Sequence, residues 1–133
     1  MIPIPFQIID WTTLDKITHP GESGLVHTKT VQFSGLRIRM IEYGPGYLAD
    51  HWCTRGHVVH CLEGELISEM KNGDQFILTH GMSYVVSDEL SVHRSQTREG
   101  AKLLIVDGDF LKYTNMDQNH QLSSIFEGNT DTK

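Results

Sequence analysis

Asp50-His51-Trp52-Cys53-Thr54-Arg55-Gly56-His57-Val58-Val59-His60-Cys61-Leu62-Glu63-Gly64 holds three of the chain's eight histidines and both of its cysteines. Imidazole and thiolate are the side chains that bind a transition metal at neutral pH, and no other segment concentrates them. His51 and Cys53 are separated by one residue. In an extended segment they share one face, with Trp52 on the other. Arg55-Gly56 allows a bend or bulge, and His57 opens the next strand, so its imidazole can converge on the first two. By the same alternation His60 points away from the pocket. Cys61 shares the face of His57 but lies about 13 Å farther along an extended chain, too far for the same ion, and reads as core.

The sequence on either side is strand and turn. Candidate strands cover 25–33, 36–43, 57–62, 66–70, 75–78, 83–86, 92–97, 101–106 and 110–113, with 47–52 short and extended; together they make about ten. Asn72-Gly73-Asp74 is the strongest hairpin turn, because Asn and Gly tolerate the positive φ such turns need. Ser34-Gly35 and His80-Gly81 are further turns, and Glu63-Gly64-Glu65 separates two strands. Gly44-Pro45-Gly46 lacks the lysine and helix of a phosphate loop and reads as a chain break. No sustained helical periodicity occurs before residue 114, which argues for an all-β antiparallel sandwich or barrel. His93 begins one of the later strands. It brings the candidate donor set to His51, Cys53, His57 and His93: three imidazoles and a thiolate, suited to a divalent transition metal such as Zn, Ni or Fe.

The chain divides into an N-terminal arm at 1–23, a β domain at 24–113 and a polar C-terminal tail at 114–133 that ends in a segment with the composition of disorder. Pro3, Pro5 and Pro20 interrupt the arm, and Ile2, Ile4, Phe6, Ile8 and Ile9 give it an apolar character. Such an arm packs on its own domain or crosses to a partner chain. A chain of 133 residues fits one domain with a core of its own. Its net charge is −6 and its eleven Lys and Arg are scattered, whereas a nucleic-acid surface wants them clustered. No apolar run reaches the roughly 20 residues needed to span a bilayer, and the first residues lack the features of a signal peptide. The expectation is a cytoplasmic protein with two free thiols, a Cys53–Cys61 disulfide being compatible only with export.

From Tyr47 to Asp107 the sequence resembles the cupin superfamily. The first cupin motif has two histidines around one residue, a glutamate after them and a later glycine; His51-Trp52-Cys53, His57 and Gly64 stand at that spacing. The second motif runs from a glycine to a histidine, and Gly81 and His93 match its ends with one extra residue between them. The run Asp50-His51-Trp52-Cys53 resembles a small bacterial subgroup named for its DHCW motif. The resemblance implies a jelly-roll double-stranded β-barrel of two antiparallel sheets, a metal inside it and, since cupins commonly pair through their sheets, a homodimer.

Five positions depart from the pattern: Gly46, the first motif's leading glycine, lies one residue closer to the histidine than usual, and the other four are substitutions. Cys53 replaces the second histidine, His57 replaces the glutamate, and Ser87 and Glu89 stand where the second motif has its proline and inner glycine. The metal-binding role therefore carries over directly to His51 and His93, and by substitution to Cys53 and His57. A set with no carboxylate is softer and favours Zn or Ni over Fe(II) or Mn.

Two classes of function follow. One is a small metalloenzyme of oxygenase, isomerase or lyase type acting on a small molecule; the other is a non-catalytic module that binds or senses a small ligand or the metal itself. Against both stands a structural reading in which His and Cys simply fill the barrel interior. A metal-free reactive Cys53 activated by a neighbouring histidine is a further reading. Arg39, Tyr43, Tyr47, Tyr84 and Arg94 are candidate pocket walls, although alternation against Leu36, Ile38 and Met40 favours a solvated face for Arg37 and Arg39. His19, His27, His80 and His120 have no partner at metal spacing and read as surface or turn residues.

Overall fold

The computed structural model describes residues 3–113; the expected tail at 114–133 lies outside them. Eight strands are present: β1 Ile17–Pro20, β2 Leu25–Phe33, β3 Leu36–Tyr43, β4 His57–Met70, β5 Gln75–Thr79, β6 Ser83–Val86, β7 His93–Gln96 and β8 Ala101–Gly108. All pairings are antiparallel. The path runs β1-β2-β3-β8-β4-β5, with β6 and β7 each also pairing with β4. No α-helix occurs among the described residues, where short 3-10 turns at Trp11–Thr13 and Asp109–Leu111 are the helical elements. This is an all-β jelly-roll sandwich of the expected class. Its sheet is open, ending at β1 and β5, and does not close into a barrel.

The long strand β4 holds the two layers together. Its first part pairs with β6 on one side and β8 on the other, and its second part pairs with β5 and β7. The change of layer falls at a register shift between Cys61 and Glu63. The sequence reads Glu63-Gly64-Glu65 as a turn between two strands, but the chain continues as one bent strand. Gly64 has φ +78°, and a side chain there would run into the carbonyl oxygen of Gly100. A positive-φ glycine serves a bulge as readily as a turn. The bulge bends β4 over the core, where Val59, Cys61, Leu66 and Leu103 are almost wholly buried.

Other turns fall where the sequence puts them. Asn72-Gly73-Asp74 joins β4 to β5, with Gly73 at φ +99° and the Asn72 side-chain oxygen accepting from the Asp74 N–H at 2.9 Å. Residues 110–113, expected as a strand, instead follow β8 through the 3-10 turn at Asp109–Leu111. In the N-terminal segment β1 adds to the edge of β2, while Phe6 and Ile8 stay exposed.

Candidate metal centre

Cys53 and His93 face each other across an isolated antiparallel bridge. The Cys53 N–H donates to the His93 carbonyl at 2.7 Å, and the His93 N–H donates to the Cys53 carbonyl at 3.1 Å. A pair that exchanges both bonds holds its Cα atoms about 5.5 Å apart, so the backbone alone brings thiol and imidazole together. The chain between Cys53 and His57 is clamped onto the β6–β7 connection. The Glu89 N–H donates to the Thr54 carbonyl at 2.9 Å, and the Gly56 N–H donates to the Asp88 carboxylate at 2.6 Å. Any side chain at Gly56 would strike the Val86 carbonyl, so the close approach requires glycine. Glu89, which stands where the second cupin motif has its inner glycine, has φ +66° and is the sole non-glycine residue with positive φ among the described residues.

These constraints place the Cys53 Sγ 3.5 Å from His57 Nε2. One ligand atom each from Cys53, His57 and His93 lies within 4.8 Å of the other two. Both histidines are oriented from behind. His57 Nδ1 is 3.2 Å from Asp107 Oδ2, and His93 Nδ1 is 3.0 Å from the Ser91 hydroxyl. An ionised carboxylate only accepts, so Nδ1 of His57 carries the proton and Nε2 of the neutral ring keeps its lone pair toward the cluster. His93 Nε2 is buried without a hydrogen-bond partner. Buried polar atoms are ordinarily paired, and an ion among the three donors would satisfy this one. Donors at 2.0–2.3 Å from a tetrahedral ion lie roughly 3.5 Å apart, so the donor types and the Cys53–His57 spacing fit a divalent transition metal.

Without an ion, the contact between Cys53 and His57 favours the charged form of each. Burial pushes the Cys53 thiol up, but the hydrogen bond with His57 and the nearby His93 imidazole outweigh it and bring the thiol down to about 5. Burial works against a charged His57, yet the hydrogen bonds to Asp107 and Cys53 prevail and raise it. Asp107 is 1% exposed. Burial there favours the neutral acid, but hydrogen bonds from His57 and Arg37 and the charge of Arg39 hold the carboxyl well below the usual range.

The cluster lies in the wall of a cavity of about 590 Å3, the size of a small-molecule site. The same cavity is lined by Arg37, Arg39, Ile41 and Tyr43 from β3, by Tyr47, Asp50 and His51 from the segment before the cluster, and by Tyr84 and Arg94. Burial keeps Tyr84 a neutral phenol and raises Tyr47 to about 12.

Three of the four expected donors are brought together. His51 stands apart: its Nδ1 is 2.8 Å from Asp50, and its side chain is 71% exposed. The segment at His51 is bent, so alternation does not put the residue beside Cys53. His60 bonds the Ser83 hydroxyl at 2.7 Å, and Cys61 is a buried free thiol. His19, expected as a surface or turn residue, lines the cavity.

Arg37 and Arg39 are not on a solvated face. They point into the cavity, and Arg37 forms a bidentate pair with Asp107 at 2.9 and 2.9 Å while Arg39 reaches it at 3.0 Å. Met40 and Glu42, on the opposite face of β3, line a separate groove with Trp11. Sequence reasoning missed Asp107 altogether. The signal was present: Ala101, Leu103 and Ile105 alternate along the buried face of β8 and Asp107 continues the series, so a carboxylate falls at a core position and must find cations.

No protein-family model matches the sequence, and no curated protein matches it significantly. Solved structures do match in fold. Ectoine synthase from P. lautus has a TM-score of 0.63 at 17% identity, covering 87% of this chain and 86% of its own. A cupin-superfamily sugar phosphate isomerase from Silicibacter pomeroyi has a TM-score of 0.63 at 16% identity, covering 77% and 76%. An RmlC-like cupin from Shewanella frigidimarina has a TM-score of 0.60 at 18% identity, covering 78% and 91%. The fold of this chain is therefore that of the cupin superfamily.

Proposed function

We propose that the chain is a small metal-binding cupin whose Cys53, His57 and His93 hold one divalent ion, with Zn or Ni favoured over Fe, beside a cavity that takes a small molecule. The observation that carries this reading is the convergence of three donors around a buried His93 Nε2 with no other partner. His51, which lines the same cavity, is the proposed fourth donor. A bound ion supplies a Lewis acid for an oxygen-bearing substrate. The protein groups do the rest: Asp107 and Ser91 orient the two imidazoles, the tyrosines narrow the cavity, and the guanidiniums of β3 give it positive charge. This suits a metalloenzyme of oxygenase, isomerase or lyase type. An ectoine synthase and a sugar phosphate isomerase share the fold, and their reactions differ, so the likeness does not choose the reaction. The non-catalytic reading, a module that binds a small ligand or the metal, is favoured where no proton-transfer group stands beside the cluster; the Asp50–His51 pair in the cavity wall is a candidate for one.

Metal analysis of freshly purified protein tests the proposal. The expected result is about one equivalent of Zn, Ni or Fe per chain, lost in His57→Ala and His93→Ala and reduced in His51→Ala. No stoichiometric metal, or the same content in all variants, would sink it. The metal found discriminates further, since Fe points to oxygen chemistry and Zn to hydrolysis or isomerisation.

The Asp50-His51-Trp52-Cys53 run supports membership of the DHCW-motif subgroup, and free thiols at Cys53 and Cys61 suit a reducing, cytoplasmic setting. In the chain alone Phe6 is 96% exposed and Ile8 is 84% exposed. That exposure supports a homodimer in which the N-terminal arm crosses to a second copy. Dilute protein that ran as a monomer in size-exclusion chromatography would count against the dimer.

A further inference from the structure

The charges around the cavity do not balance. Its lining contains four arginines, Arg37, Arg39, Arg55 and Arg94, and one carboxylate, Asp50; a second carboxylate, Asp107, is buried behind the arginines. Arg94 is neutralised from outside the cavity by Glu69 at 3.0 Å and Glu22 at 3.5 Å. Asp50 is taken by His51 at 2.8 Å. Arg37, Arg39 and Arg55 are left around Asp107, at 2.9, 3.0 and 3.7 Å. One carboxylate, which already accepts from His57, cannot neutralise three guanidiniums. The excess is positive in a chain whose net charge is −6, so it does not reflect general composition.

Arg39 carries the clearest sign of a missing partner. Its Nε is buried with no acceptor, and its side chain is only 19% exposed. Burial and the neighbouring Arg37 both press against its charge. A guanidinium is a rigid fork that matches the two oxygens of a carboxylate or phosphate. Arg55, at 56% exposure and loosely held by Asp107, has donors to spare. Both lie one carboxylate away from His57.

We propose that the cavity takes a small anionic molecule, carrying a carboxylate or phosphate group that Arg39 and Arg55 receive beside the Cys53, His57 and His93 cluster. The proposal deepens the reading of this cavity as a small-molecule site and rests on that reading, but it does not need the ion. The test therefore uses metal-free protein, prepared with a chelator that is then removed, alongside zinc-loaded protein. Inorganic phosphate and succinate are titrated by calorimetry at low salt, with glycerol as a neutral control.

The expected result is that at least one anion binds the metal-free protein and glycerol does not. Phosphate alone would narrow the class to phosphoryl compounds, and succinate alone to carboxylates. Arg55→Gln, at an exposed position where folding is undisturbed, and Arg39→Gln each weaken binding by roughly tenfold, the loss of a hydrogen bond to a charged group. Arg98→Gln, whose side chain pairs with Glu65 outside the cavity, leaves binding unchanged. Failure of both anions to bind metal-free protein would overturn the proposal, as would binding to Arg55→Gln with wild-type affinity. Binding confined to the zinc-loaded form would overturn it too, since the anion would then be held by the ion. None of these results would touch the metal content on which the functional reading depends.

Discussion

His57 Nδ1 lies 3.2 Å from Oδ2 of Asp107, a residue 50 positions farther along the chain. The contact joins two charge systems, the donor cluster with Cys53 and His93 on one side and the arginine pair of β3 on the other. Asp107→Asn keeps the size of the side chain but removes its charge. The ring of His57 loses its fixed tautomer, and metal affinity is expected to fall about 10–100-fold. Arg37 and Arg39 lose their counter-charge, at a cost on the order of 3 kcal/mol in stability. Competition with a chromophoric chelator measures the first effect and urea unfolding the second.

Acid should act through the same carboxylate. The folded state holds the Asp107 carboxyl below its usual value, against burial, through His57, Arg37 and Arg39. Its stabilising contribution is then full above the unfolded value near ~4 and is lost as pH falls from there toward the folded value. The urea midpoint of metal-free protein is expected to drop as pH is lowered below about 4, with a shallower drop in Asp107→Asn. Parallel curves for the two proteins would assign the acid sensitivity to other carboxylates.

The two thiols should differ in reactivity. In metal-free protein Cys53 is depressed to about 5 by its histidines despite burial, whereas burial raises Cys61. Since the thiolate is the nucleophile, iodoacetamide at neutral pH is expected to label Cys53 first. Zinc should protect it, and His57→Ala should slow the labelling. Mass spectrometry of the modified peptide reads the outcome, and preferential labelling of Cys61 would contradict it.

Glu89 has φ +66° in the connection that clamps the cluster. A left-handed non-glycine residue costs about 1–2 kcal/mol, and glycine loses part of that gain through its freer unfolded chain. Glu89→Gly is therefore expected to raise stability by up to about 1 kcal/mol while leaving metal content unchanged. Destabilisation would mean that the Glu89 side chain holds the connection in some other way.

Much of the fold was legible because strands and turns are local. Asn72-Gly73-Asp74 announces its hairpin, and the alternation in 36–43 and 101–106 marks strands. Gly64 misled because a glycine at positive φ is compatible with both a turn and a bulge, and only the pairing with β8 decides between them. The cluster was legible in Cys53, His57 and His93 through their spacing. His51 was placed by an alternation that holds only in extended chain, and the backbone bends there. Arg37 and Arg39 were set on the solvated face because a charge defaults to water. Their inward placement depends on a partner 70 and 68 positions away, a relation that no local pattern carries.

Cobalt(II) substitution of the purified protein tests the central claim most directly, because a thiolate–cobalt charge-transfer band reports the sulfur and the ligand-field bands report the geometry. The expected spectrum shows the charge-transfer band with intense, tetrahedral-type ligand-field absorption at one equivalent of cobalt. Cys53→Ser should lose the charge-transfer band, and His93→Ala should fail to take up the ion. A spectrum without the thiolate band, or one unchanged in Cys53→Ser, would contradict a metal centre built on Cys53, His57 and His93.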